Sequence, residues 1–92
     1  STVGNAIEGF VRAIAPEISP RRINAVSPGF IDTPLFPQEG EEREEFFRQA
    51  TGTHPIPRPG TAGEVAQAVL FLLKNDFTTG TIVDVDGGAT LP

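Results

Sequence analysis

Ninety-two residues with an ordinary apolar fraction allow one modest core, so the chain reads as a single domain or a piece of one. A formal charge of −5 argues against a broad phosphate-binding surface, hence against nucleic acid, and no apolar run is long enough to cross a bilayer. The absence of cysteine excludes disulfides and thiolate metal sites and fits a cytoplasmic protein; methionine is absent too, so Ser1 is expected to be a processed, truncated or partially determined start.

Residues 2–15 predict an amphipathic helix. Val3, Ile7, Phe10, Val11 and Ile14 recur at steps of three and four, and Glu8 and Arg12 fall four apart on another face. Ser1 or Thr2 could cap it, and Pro16 is expected to end or kink it near Ala15. A tight connection through Ser19 and Pro20 leads to a strand over 22–27. Pro28, lacking an N–H, and Gly29, free in its backbone angles, are expected to stop that strand. In an open parallel sheet, ligands bind beyond the carboxyl ends of strands, so the turn at 28–33 is the leading candidate site.

Residues 39–50 form a charged, helix-compatible run holding five of the twelve acidic residues, and solvated helix surface explains them better than a cation site. Phe46 and Phe47 need something to cover, and a small satellite core under a long loop would do it. Residues 51–60 should be extended loop, because three prolines deny it ladder and helix bonds; His54, without a nucleophile motif, receives no role. Arg58 is expected to cap a carbonyl or to pair with a nearby carboxylate.

Thr61-Ala62-Gly63-Glu64 has the form of a capping box for a helix over 61–75, whose wide apolar content predicts burial on a broad face. Lys74 suits the negative end of that helix, and Asn75 a left-handed cap. A last strand over 81–85 ends at Asp86-Gly87-Gly88. Asp84 and Asp86 lack a third ligand and read as strand-end and turn residues, so no metal site is assigned. The two strands and the helix between them make a right-handed βαβ unit, with the strands parallel and adjacent and the first helix on the opposite face. A two-stranded parallel sheet with an open edge is poor alone, which predicts a partner.

Asn24-Ala25-Val26-Ser27-Pro28-Gly29-Phe30-Ile31-Asp32-Thr33-Pro34, Arg58-Pro59-Gly60-Thr61-Ala62-Gly63-Glu64-Val65-Ala66 and Val83-Asp84-Val85-Asp86-Gly87-Gly88 follow one another in order. Together they resemble the C-terminal part of a short-chain dehydrogenase/reductase. The resemblance implies an α/β fold: the C-terminal portion of a Rossmann-like, doubly wound parallel sheet, running helix, strand, lid, helix, strand over residues 1–92. It implies NAD or NADP as cofactor, bound only with an N-terminal half, and a small carbonyl or alcohol substrate. Pro28, Gly29, Ile31 and Thr33 would hold the nicotinamide carboxamide. Residues 35–60 would be the substrate lid and its loop, lined by Leu35, Phe36, Phe46 and Phe47, with 35–55 the most mobile internal segment.

The family's helix also carries a Tyr-x-x-x-Lys motif. Aligned through Glu8-Gly9-Phe10, its Tyr position falls one residue before Ser1 and its Lys position on Gly4, so neither catalytic role is assigned and the chain alone is expected to be inactive. A complementary N-terminal half or a homo-oligomer is the expected partner, with the tail at Leu91 near a subunit contact. The alternative is a non-catalytic pseudo-enzyme piece serving assembly or interaction.

Overall fold

Five elements follow one another in the computed structural model, which describes the backbone of residues 2–92 and side chains from Gly4 onward: α1 (Thr2–Glu17), β1 (Ala25–Pro28), α2 (Gly40–Thr51), α3 (Ala62–Lys74) and β2 (Ile82–Val85). The capping role of Ser1 or Thr2 and the packing of Val3 lie outside the described residues. β1 and β2 run parallel and adjacent, Ala25 opposite Ile82 through Pro28 opposite Val85. Side chains alternate across this sheet. Ala25, Ser27, Ile82 and Asp84 line a cavity with Ile7 and Glu8 of α1, Asn24 lines another with Val69 and Leu72 of α3, and Val26 borders both. The two helices therefore take opposite faces, and the α/β layering follows from the period of the strands.

Three boundaries differ from the sequence expectation. The helix passes Ala15 and ends at Glu17 with Pro16 inside its last turn. A proline there removes one ladder bond only, and Ile18 N–H still reaches Ile14 C=O at 3.2 Å. The first strand begins at Ala25 rather than residue 22, because the preceding residues meet the approach to β2 mainly through side chains, with one backbone bond, Gly80 N–H to Ile23 C=O at 2.7 Å. Ile23 N–H donates to Thr79 Oγ1 at 3.1 Å, and the Asn24 amide bridges Thr78 C=O and Thr81 N–H at 3.0 and 3.1 Å. Pro28 lies within β1 instead of stopping it. The bonds Ala25 N–H to Thr81 C=O and Gly29 N–H to Val85 C=O show that alternate residues face β2. Pro28 is out of phase with them, so its missing N–H takes nothing from the ladder.

α3 starts as its sequence requires. Thr61 Oγ1 accepts from Glu64 N–H at 3.1 Å and Glu64 Oε1 accepts from Thr61 N–H at 3.0 Å, a complete capping box. Arg58 pairs with Glu64 through both guanidinium nitrogens, each contact 2.9 Å, and also donates to Pro59 C=O. At the other end Asn75 is extended, not left-handed. Its Oδ1 instead accepts from Phe77 N–H and Thr78 Oγ1, closing a turn that starts the path to β2. Arg22, not only Lys74, meets the negative helix end: its guanidinium donates to Leu72, Leu73 and Thr78 carbonyls.

The core is thin. Val11, Ala15, Phe47 and Leu72 are the buried apolar side chains among the described residues. The broad burial expected of α3 does not occur, since Val69, Leu70, Phe71 and Leu73 stay exposed. Two four-residue strands are too narrow to cover a helix with apolar side chains on more than one side.

Candidate functional site

Beyond β1 the chain turns through 28–33, and two separate contacts fix that turn. Gly29 N–H bonds Val85 C=O at 2.9 Å, and a Cβ at Gly29 would stand 2.7 Å from both Cα and Cβ of Asp86. The space freed by the missing side chain is thus filled by the end of β2. Asp86 is itself fixed: its carboxylate accepts from Thr90 Oγ1 at 2.8 Å and Gly88 N–H at 2.9 Å. These bonds, the Thr90 hydroxyl first, hold its pKa below the ordinary value. Gly87 and Gly88 follow with φ of +63° and +81°, a left-handed pair that only glycine adopts freely.

The second contact comes from the loop before α3, which was expected to form no ladder bonds. Gly60 makes an isolated parallel bridge with Ile31: Gly60 N–H donates to Phe30 C=O and Asp32 N–H to Gly60 C=O, both at 2.9 Å. The three prolines do not prevent it, because Gly60 itself has an N–H. In such a bridge the residue between the bonded pair points its own groups the other way. Ile31 N–H and C=O therefore face away from Gly60, and no hydrogen bond to them is recorded among the described residues. The Thr33 hydroxyl likewise has no recorded partner there, while Thr33 C=O accepts from Phe36 N–H at 3.3 Å.

The residues expected in a lid divide. Phe36, Phe46 and Phe47 gather around Phe30, with Phe30 and Phe36 stacked at 4.9 Å and Phe47 edge-on to both at 5.7 and 5.6 Å. Leu35 points away from this cluster and is 90% exposed. Thr51, fully buried, closes α2 by returning its hydroxyl to Phe47 C=O at 2.7 Å. Sequence reasoning missed Phe30 as the hub of the cluster, Gly60 as the clamp on Ile31, and Arg43. The guanidinium of Arg43 lies 4.6 Å over the Phe47 ring and bonds the segment between β1 and α2. An arginine amid five glutamates was the one available signal, and it does not say which carbonyls the arginine meets. His54 lines a cavity of about 310 Å³ with Arg58, Asp84 and Asp86, but no cluster of three metal-ligating side chains occurs among the described residues.

With this geometry the chain resembles a well-populated group of proteins. The family model described as enoyl-(acyl carrier protein) reductase matches residues 3–90. Carbonyl reductase family member 4 of Danio rerio is 44% identical over 87 residues, covering 92% of this chain and 34% of that protein. A short-chain dehydrogenase/reductase of Stachybotrys chlorohalonatus is 38% identical over 91 residues, covering 99% of this chain and 36% of its own length. Among solved structures, a small-chain dehydrogenase in complex with NADPH superposes with a TM-score of 0.81 at 35% identity, over 99% of this chain and 42% of that one. A C-terminal deletion mutant of Thermoplasma acidophilum aldohexose dehydrogenase gives 0.84 at 35% identity, over 99% and 44%. The chain spans about a third of the length of the curated relatives it matches. Three motifs, a parallel βαβ arrangement and these matches agree, and the chain belongs to the short-chain dehydrogenase/reductase family.

Proposed function

We propose that this chain supplies the nicotinamide-side turn and the substrate lid of an NAD(P)-dependent oxidoreductase that interconverts a small carbonyl compound and its alcohol. One observation carries the reading: Ile31 presents an N–H and a C=O, both directed away from the Gly60 clamp and both without a recorded partner among the described residues. A nicotinamide carboxamide offers one acceptor and one donor group, the complement of that pair. The Thr33 hydroxyl, able to donate or accept, adds a third contact, and Pro28 and Gly29 form the approach to it. When bound, the cofactor supplies hydride transfer; the residues here hold and orient its ring and leave a face to the substrate. Leu35, Phe36, Phe46 and Phe47 belong to the segment that would close over that substrate and exclude water. The neighbouring structure that holds NADPH supports the cofactor class.

Proton transfer is assigned to no residue of this chain. A second reading, a non-catalytic piece kept for assembly, is favoured by Gly4, which stands on α1 where the family motif has Lys.

The test uses the full-length protein that carries this chain, with NAD(P)H binding followed by nicotinamide fluorescence. Thr33→Ala removes the hydroxyl and Ile31→Pro removes the N–H. Each is expected to weaken binding roughly five- to tenfold, the worth of one hydrogen bond. Affinity and turnover unchanged in both variants would overturn the proposed role of the turn. Turnover of a panel of aldehydes and ketones by the wild-type protein would exclude the non-catalytic reading.

A further inference from the structure

Between Ile31 and α2 lies a segment, 32–38, with two prolines and little ladder bonding of its own. Its shape depends on one side chain. Arg43 Nη1 donates to Phe36 C=O and to Gln38 C=O, each at 3.1 Å, and Nη2 donates to Thr33 C=O at 3.0 Å and to the Asp32 carboxylate. Four acceptors spread over seven residues thus converge on a single planar fork. The side chain is 24% exposed and packs its face on the Phe47 ring, so the fork has little freedom to reorient. It sits in the first turn of α2, where its own N–H bonds Glu39 C=O at 3.2 Å. Helical side chains lean toward the N-terminus, which aims this one back at the segment it holds.

With both terminal nitrogens engaged twice, Arg43 keeps only its Nε–H and cannot offer a bidentate fork to an anionic substrate in this arrangement. We infer that Arg43 is a positioning residue: it builds the 32–38 segment before any ligand arrives and so sets the place of Thr33 in the cofactor site. This rests on the proposed role of the turn. The guanidinium fixes Thr33 from its carbonyl, which leaves the hydroxyl free to face a ligand. It also joins 32–38 to the first turn of α2, so the lid and the nicotinamide-side turn are mechanically one piece. Lysine at 43 keeps the charge but cannot serve four divergent acceptors from a plane.

The test is made on the full-length protein with Arg43→Lys, Asp32→Asn, Thr33→Ala and, as control, Arg48→Lys, whose native partner is the exposed Glu45. Two quantities are read at matched unfolding midpoints: amide exchange at Asp32 and Phe36 without cofactor, and the dissociation constant for NAD(P)H. Arg43→Lys is expected to speed exchange at those two amides and to weaken cofactor binding roughly five- to tenfold, for the loss of one or two hydrogen bonds. Asp32→Asn should do the same to a smaller degree, and it serves if Arg43→Lys folds poorly. Thr33→Ala should weaken binding without speeding exchange, and Arg48→Lys should change neither. If Thr33→Ala weakens binding while Arg43→Lys and Asp32→Asn leave both readouts at wild-type values, the positioning role is overturned and the turn keeps its proposed function. If Thr33→Ala leaves affinity unchanged, Thr33 has no place in the cofactor site and the inference falls, while the role of the turn is then decided by Ile31→Pro.

Discussion

Glu64 shows how much one side chain settles at the start of α3. Its carboxylate caps Thr61 and pairs with both guanidinium nitrogens of Arg58, and the hydrogen bond from Arg58, followed by the Thr61 N–H, lowers its pKa from 4.5 to about 2. A value lowered by folding means that the folded state prefers the ionised form. The stabilisation is therefore complete above about pH 4.5 and is lost as pH falls through about 2. A pH titration of the isolated Glu64 carboxyl resonance should show this low midpoint, and Arg58→Gln should move it back up. Thr61→Ala should cost about 1 kcal/mol by leaving the Glu64 N–H without its cap, read from chemical denaturation of the full-length protein. At Gly29 the limit is space: Gly29→Ala would drive a Cβ to 2.7 Å from Asp86 and must part the ends of β1 and β2. The expected cost is about 1–3 kcal/mol, and an unchanged denaturation midpoint would show that the strand ends give way freely.

At the scale of elements, α2 is held by its aromatic side and by Arg43. Arg43 ties its first turn and Phe46 and Phe47 bind its middle to Phe30 and Phe36, while its glutamates face water. Phe47 is 8% exposed and the most buried ring of the four. Phe47→Ala is expected to cost about 2–4 kcal/mol locally, from lost ring contacts and the cavity left behind. Because α3 packs on both strands and α2 makes no extensive contact with either, the loss should appear as faster amide exchange over α2 with α3 amides little changed. Equal acceleration in both helices would mean that the aromatic cluster belongs to the main core. In the wild-type protein α2 should likewise exchange faster than α3 until a ligand is bound.

Over the whole molecule, surface is the informative quantity. The chain exposes 6698 Å², whereas a compact monomer of its mass would expose about 5,200 Å². Its radius of gyration is 15.6 Å, against about 12 Å for a compact chain of this length. The excess is apolar in part: Phe71, Leu73 and Phe77 and, on α1, Ile7 and Phe10 are exposed. β1 also has β2 on one edge only. A complementary sheet-forming half or a second copy would cover these surfaces. The isolated chain is expected to self-associate or to unfold without cooperativity at micromolar concentration. A cooperatively unfolding monomer in sedimentation and denaturation would refute this. The same isolated chain, with Gly4 at the family's Lys position and no Tyr in its sequence, should oxidise no NAD(P)H with any carbonyl compound.

Much of the architecture was legible from local chemistry. The periodicity of 3–14, the capping box at 61–64 and the apolar runs before Pro28 and Asp86 each act within a few residues, so the sequence alone placed two helices, two strands and their parallel pairing. The turn at 28–33 was located by the same means. Its internal order was decided only by tertiary structure. The Gly60 bridge to Ile31, the seat of Gly29 against Asp86 and the convergence of four acceptors on Arg43 join groups that lie from 5 to 57 residues apart. Which donors meet which acceptors across such separations depends on how the chain closes on itself. Local propensity carries no record of that closure, and for the same reason the wide apolar surface of α3 read as buried when two short strands cannot cover it.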